Sequence, residues 1–224
     1  MLEPESRAAS RLARTIYRDA PLLTRLQQRF RPFVCSFDPL LPEIRAGGGR
    51  MLDFGSGAGV LAFHCVERGY VESADGVDVA SGAVEIARSV AASLPQAAQL
   101  RFHIGEVPAG EFDAITMIDV MHHVHPAQQQ SSFAELAARL AKGGVLVYKD
   151  IGSRPRWRAA ANRLHDLVLN RQWARYVPIE TVIAWAVDDH GLELVRRTDF
   201  NQLVYGHELA VFRKPDGRLI QPQG

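Results

Sequence analysis

This chain has no run approaching the ~18 consecutive apolar residues that cross a bilayer, so no membrane-spanning helix is expected. Its first residues, MLEPESRAASRLAR, lack the apolar centre of a secretory leader, and a cytoplasmic, reduced setting is the default expectation. Cysteine is nearly missing. Cys35 and Cys65 show no metal-ligand spacing, one pair is no disulfide framework, and apolar neighbours mark both as buried thiols. An excess of charge is missing too: 26 Lys and Arg face 25 Asp and Glu, for a formal net charge of +1. That balance excludes a general field drawing the molecule to nucleic acid or to an acidic membrane. Internal repeats and low-complexity tracts are absent.

What is present is an ordinary globular composition, 47% hydrophobic and 23% charged, in 224 residues, enough for one domain with a substantial core. Residues 5–30 carry Leu12, Ile16, Leu22, Leu23 and Leu26 at roughly helical spacing, with a break at Pro21. Residues 31–49 read as a proline-punctuated connection holding one short helix. From residue 50 strands and helices alternate. RMLDF is a strand and VLAFHCVERG a helix ending at Gly69; ADGVDVA is a strand and SGAVEIARSVAASL a helix with Ser81 as its N-cap. LRFHIG and FDAITMIDVM follow as strands, PAQQQSSFAELAARLAKGG as a helix closed by its glycines, and VLVYKDI as a fifth strand. Such alternation predicts parallel strands with helices on both faces. After Asp150 the rhythm changes. Residues 152–176 are helical in pattern and rich in Arg and Trp, and PIETVIAWAVDDHG is a further amphipathic helix. LELVRRTDF and YGHELAVFRK read as an antiparallel pair completing the sheet, and the tail DGRLIQPQG reads as frayed.

Between the first strand and its helix stands DFGSGAGV. A dinucleotide fingerprint needs Gly or Ala where Val60 stands, and the Lys-Ser/Thr of a P-loop is absent. Asp53 would also set an anion beside a pyrophosphate. It suits a ligand with an ammonium group and a nearby cationic centre, while glycines at 55, 57 and 59 let the backbone come close. S-adenosylmethionine has both charges. An acid followed by Gly-x-Gly-x-Gly resembles the first motif of the class I S-adenosylmethionine-dependent methyltransferases. The segments GVDVA, FHIGEV, FDAITMIDVMHHV and LAKGGVLVYKD resemble the later motifs in the same order, covering about residues 50–150.

The resemblance implies a Rossmann-like α/β fold: a seven-stranded, mostly parallel sheet with a C-terminal antiparallel hairpin, helices on both faces and a helical cap. It divides the chain into a helical lead-in and cap (1–49), a cofactor-binding core (50–150), a basic helical insert over the substrate side (151–178), a last helix and strand pair (179–214) and a tail (215–224). S-adenosyl-L-methionine would be held by Asp53 and by Gly55, Ser56, Gly57 and Gly59. Asp78, 19 residues past Gly59, would take the ribose hydroxyls, with Val79 beside it. Glu106, where the family usually has Asp, would reach the adenine amino group next to Val107. Asp119 would approach the methionine end by side chain or backbone. The plain alternatives are helix N-caps or solvated strand ends for Asp53 and Asp78, a loop acid for Glu106, and a structural role for Asp119.

Methyl transfer is an in-line displacement, so the protein chiefly aligns a nucleophile and excludes water. A hydroxyl acceptor also needs a base; moving a proton from a phenol to a histidine is uphill by about 5 kcal/mol, tolerable if concerted with attack. Candidates are His122 and His123 after the fourth strand, Asp150 ending the fifth, and His165 in the insert. The competing reading makes the His pair structural or cofactor-facing. HHVH is not expected to bind metal, because consecutive residues point apart. The Asp/Asn-Pro-Pro-aromatic motif of base amino-group methylation is missing, which favours a small or carrier-bound acceptor methylated on oxygen or carbon over nucleic acid.

Two segments are basic. Residues 1–31 hold seven arginines against Glu3, Glu5 and Asp19; residues 149–175 hold Lys149, Arg154, Arg156, Arg158, Arg163, Arg171 and Arg175 against Asp150 and Asp166. They read either as solvated helix faces or as a cap for an anionic acceptor, an acyl carrier protein or a lipid headgroup, walled by Trp157, Trp173 and Tyr176. A looser resemblance links RPFVCSFDPLL and KDIGSRPRWRAAANRLHDLV to bacterial methyltransferases of polyketide or aryl polyene pathways. The alternatives of another class are a non-catalytic S-adenosylmethionine-binding protein and a membrane-surface lipid methyltransferase.

Overall fold

The structure is a computed structural model that describes residues 5–151, 176–202 and 205–216. Helices α1 (Glu5–Ile16), α2 (Leu22–Val34) and α3 (Leu41–Gly47) precede the sheet. Then come β1 (Arg50–Phe54), α4 (Val60–Glu67), β2 (Ser73–Asp78), α5 (Ser81–Ala92), β3 (Leu100–Ile104) and β4 (Phe112–Ile118). After a short 3-10 turn at Met121–His123 follow α6 (Pro126–Arg139), β5 (Leu140–Ile151), α7 (Ile179–Ala184), β6 (Glu193–Gln202) and β7 (Tyr205–Arg213). The seven strands lie in the order β3-β2-β1-β4-β5-β7-β6. β1 to β5 are parallel, and β7 runs antiparallel to both β5 and β6. The expected Rossmann-like sheet is the one observed.

Strand periodicity sorts side chains between two cores. Met51 of β1 packs with Ile44, Val60 and Val84 on one face, and its neighbour Leu52 packs with Phe133, Leu136 and Phe212 on the other. β5 alternates likewise, Val145 and Val147 to the first core, Leu146 and Tyr148 to the second. The alternation continues to the strand tip, where it directs Lys149 and Asp150 to opposite faces.

Three local expectations are corrected. Ser81 is not an N-cap; Ala80 holds that position, and the Asp78 carboxylate takes the Ala80 N–H at 2.8 Å. Glycines do not close α6. The helix stops at Arg139 because Leu140 is fully buried and pairs with Phe112, while Gly143, at φ 76°, sits inside β5 beside an irregularity between Phe112 and Ala114. Residue 31 is no connection either: α2 starts after Pro21, as the sequence implied, but runs through Pro32 to Val34. Both cysteines are buried thiols.

The N-terminal helices are tied to the core by a few polar bonds. Tyr17, 1% exposed, donates its hydroxyl to the Ala58 carbonyl at 2.6 Å, linking the cap to the glycine loop. Tyr17→Phe leaves that carbonyl unpaired and is expected to cost about 1–2 kcal/mol, lowering Tm by roughly 2–8 °C in thermal denaturation. An unchanged Tm would show that the contact contributes nothing.

Candidate functional site

Strand order reverses between β1 and β4, and the carboxyl ends of the parallel strands there frame a crevice, the usual ligand position in open α/β sheets. The turn after β1 is shaped by three left-handed glycines, Gly55 (φ 80°), Gly57 (φ 56°) and Gly59 (φ 89°). A Cβ on Gly55 would lie 2.5 Å from Val120, and one on Gly59 2.5 Å from Phe102, so both also serve packing. Only Gly57 faces open space. The turn is held from β2: Gly55 and Ser56 donate their N–H groups to Val77, and Gly57 donates its own to Asp78 Oδ2 at 2.7 Å.

Two adjoining cavities flank this turn, and His123 lines both. The first, about 690 Å³, is lined by Gly55, Asp78, Val79, Gly105, Val107 and Val120, with residues of α6 beyond. Val79, an apolar side chain, is 86% exposed there. Glu106 is exposed and lies outside that lining. The second cavity, about 760 Å³, lies between the turn and α2; Gly57, Asp119, His122 and His207 line it from the core side, Gln28 and Arg31 from the cap.

Three acids near the cavities differ in their surroundings: Asp53 and Asp150 are buried, and Asp119 is part-buried. Asp53 lies beneath the turn and accepts from Thr116 Oγ1 at 2.8 Å. Burial pushes its pKa up to about 6, against weaker opposing pulls from the Thr116 bond and from Arg31. Asp119, at φ 52°, is the one described non-glycine residue with positive φ. Its carboxylate accepts from Lys149 Nζ at 2.8 and 3.0 Å, with His207 Nδ1 at 3.6 Å. Burial would raise the Asp119 pKa, but the Lys149 ammonium and His207 hold it far below the usual range. Lys149 also contacts Cys35 Sγ at 3.3 Å, and burial pushes that thiol up to about 12.

Asp150, on the other face of β5, accepts from His122 Nδ1 at 2.5 Å, from the His122 backbone N–H at 3.2 Å and from the Ile151 N–H at 2.7 Å. His122 is 5% exposed, and its ring packs on His123 and Tyr176, with centroids 4.0 and 5.7 Å away. An imidazole that donates from Nδ1 carries its lone pair on Nε2. This is a histidine oriented by a carboxylate, at the wall of a cavity.

The residues singled out from the sequence therefore fall into groups. Gly55, Asp78, Val79 and Val107 line the first cavity; Gly57, Asp119, His122 and His123 line the second. Asp53 and Ser56 lie beneath, Gly59 packs at the start of α4, Glu106 stays at the rim, and Asp150 stands behind His122. His165 and the basic insert lie outside the described residues. Sequence reasoning missed Gln28, Arg31 and His207. Gln28 drew no reading from the sequence, Arg31 was counted only as one of the seven arginines of the basic segment 1–31, and His207 reaches the site through its pairing with Ile151 across β5 and β7. Among the described residues no group of His, Cys, Asp and Glu could hold a metal, and no helix is long and apolar enough to cross a membrane.

Residues 25–197 match the methyltransferase domain family. The chain belongs to that family. It is 28% identical over 138 residues to a ubiquinone biosynthesis O-methyltransferase of Neisseria meningitidis, covering 58% of this chain and 54% of that one. Among solved structures, an O-methyltransferase family protein from Burkholderia thailandensis superposes with a TM-score of 0.68 at 15% identity, over 90% of this chain and 63% of that one. A SAM-dependent methyltransferase from Methanosarcina mazei gives 0.57 at 18%, over 74% and 92%. The chain spans 27% to 54% of the length of the curated relatives it matches. S-adenosylmethionine is the cofactor of this family, and an open backbone at Gly57, with Asp78 lining the first cavity and Asp119 the second, fits it.

Because the folded-state pKa of Asp53 lies above its unfolded value, the stability it contributes is present at low pH and lost as pH rises through about 6. Asp53→Asn is therefore expected to stabilise the ligand-free protein at pH 7.5, by on the order of 2–3 kcal/mol, with little gain at pH 4. Thermal melts at the two pH values check this; an equal shift at both would contradict the assigned ionisation.

Proposed function

We propose that this methyltransferase-family chain transfers a methyl group from S-adenosylmethionine to a hydroxyl oxygen of a small acceptor, with His122 as general base and Asp150 as its positioning partner. The observation that carries the reading is the His122–Asp150 pair, 2.5 Å apart, at a cavity shared with Gly57 and Asp119. The bound cofactor supplies a methyl group on a sulfonium, already activated for displacement. What this chain must add is alignment, exclusion of water and removal of the hydroxyl proton.

The cofactor's residues follow from the same geometry. Asp78 suits the ribose hydroxyls, with Val79 and Val107 against the adenine, while Asp53 and the Gly55–Gly57 turn suit the ammonium end. Asp150, anchored by two backbone N–H groups and the Nδ1–H of His122, fixes the ring so that Nε2 accepts the proton. Attack by a hydroxyl releases its O–H proton directly to such a base, which suits an oxygen acceptor. The similarity to an enzyme named as an O-methyltransferase supports the same choice.

His122→Gln is expected to lower kcat by about 10²–10³-fold on phenolic or catecholic acceptors, and Asp150→Asn by about tenfold or more. S-adenosylhomocysteine affinity should stay within about twofold in both. Wild-type kcat/KM should rise with pH through the imidazole range and then level off, and that limb should vanish in His122→Gln. Full turnover in the variant with the limb retained would remove His122 from the role.

A further inference from the structure

The face that cap helix α2 turns to solvent is apolar. Leu22 and Leu23 are 67 and 68% exposed, and Leu26, Phe30 and Val34 are 44 to 50% exposed. No other described element gathers more than two exposed large apolar side chains. At about 100° per residue the five span an arc of about 120°, while the buried residues of the helix, Gln28 and Pro32, lie on the opposite side. The usual amphipathic order is inverted, with an amide towards the core and leucines towards water. Scattered exposed leucines need no cause, but a contiguous apolar patch marks a surface that something covers.

Whatever covers it must be anionic as well as apolar. α2 carries Arg25, Arg29 and Arg31 and no acid, and the exposed Arg25 and Arg29 border one edge of the arc. α1, which packs on α2, exposes Arg7, Arg11 and Arg14 at helical spacing. Of the acids in residues 5–34, Glu5 bonds His64, Arg68 and Tyr70, and Asp19 pairs with Arg18. The near-zero net charge of the whole chain therefore conceals a basic face. A second copy meeting α2 about a twofold axis would set these arginines against their own kind, with no acid on the helix to pair them. An acidic protein would answer the arginines but needs an apolar groove to seat the leucines. An anionic bilayer supplies both along the whole helix: arginines rimming an apolar arc suit a helix lying in the headgroup layer. We propose that α2 docks the protein on such a bilayer, with Leu22, Leu23, Leu26 and Phe30 among the acyl chains and Arg25 and Arg29 at the phosphates. Phe30 and Val34 also wall the second cavity, so docking sets that side of the cavity at the lipid boundary. The inference does not depend on the reaction proposed above.

Flotation of the full chain with phosphatidylcholine vesicles, with and without phosphatidylglycerol, is the test. The protein should prefer the anionic vesicles by at least about 25-fold, and Arg25→Gln with Arg29→Gln should reduce that preference to a few-fold. Leu22→Gln with Leu23→Gln should weaken binding to the anionic vesicles at least about tenfold. Both double variants should keep the wild-type Tm, since all four side chains are exposed. Cys35 and Cys65 are buried, so a polarity-sensitive fluorophore on Leu23→Cys reports that position alone, and its emission should shift to the blue on binding. No vesicle binding by the wild type, unaltered binding in both double variants, or an unshifted label would overturn the proposal. So would dimerisation of the wild type that the leucine pair abolishes, which gives the face to a second copy. Capture of purified acyl carrier protein in place of vesicles would likewise overturn it. None of these readouts requires cofactor or acceptor, so the His122 variants test the proposed reaction separately.

Discussion

The site is organised by the tip of β5. Lys149 and Asp150 are consecutive, and the two-residue period of a strand sends them to opposite faces of the sheet. Lys149, fully buried, reaches the Asp119 carboxylate and the Cys35 sulfur, so one ammonium joins the end of β4 to the segment after α2. Asp150 turns the other way and takes His122. A buried ammonium without its carboxylate would be strongly disfavoured. The pair therefore fixes Asp119 in its left-handed conformation, and the chain leaving Asp119 delivers His122 and His123 three and four residues later.

The charges around the cavities are unequal in a way that suits a cationic ligand. Asp119 is already neutralised by Lys149, whereas Asp53 is compensated only by a hydroxyl bond and a distant guanidinium, and burial raises its pKa. An acid kept near neutrality by burial gains most from an incoming positive group. Arg31, lacking an ion pair among the described residues, supplies the opposite need. A buried carboxylate thus lies beneath the turn and the Arg31 guanidinium lines the second cavity, a charge distribution suited to a ligand that carries both signs.

Much of this was legible in the chain itself. The β1 turn could be recognised because left-handed φ, close packing against Val120 and Phe102, and an open face at Gly57 all demand glycine. The place of Asp78 at the end of β2, beside the turn, was legible because one helix and one strand separate it from the glycines. The His122–Asp150 contact was not: 28 residues separate them, and only the pairing of β4 with β5 brings them together. Arg31 and Gln28 were hidden for another reason. A basic segment read as a whole does not reveal which of its polar residues will reach a cavity.

Alternating apolar strands and helices, with a glycine turn after an acid, were enough to determine a parallel α/β sheet with that turn at its carboxyl edge. Those features depend on local backbone chemistry and on short-range periodicity, which a linear sequence carries directly. The pairing of His122 with Asp150, the sharing of one ammonium between Asp119 and Cys35, and the entry of α2 into the second cavity were decided by tertiary structure alone. Each depends on which distant residues meet in three dimensions, and that is set by the collective packing of the two cores on either face of the sheet.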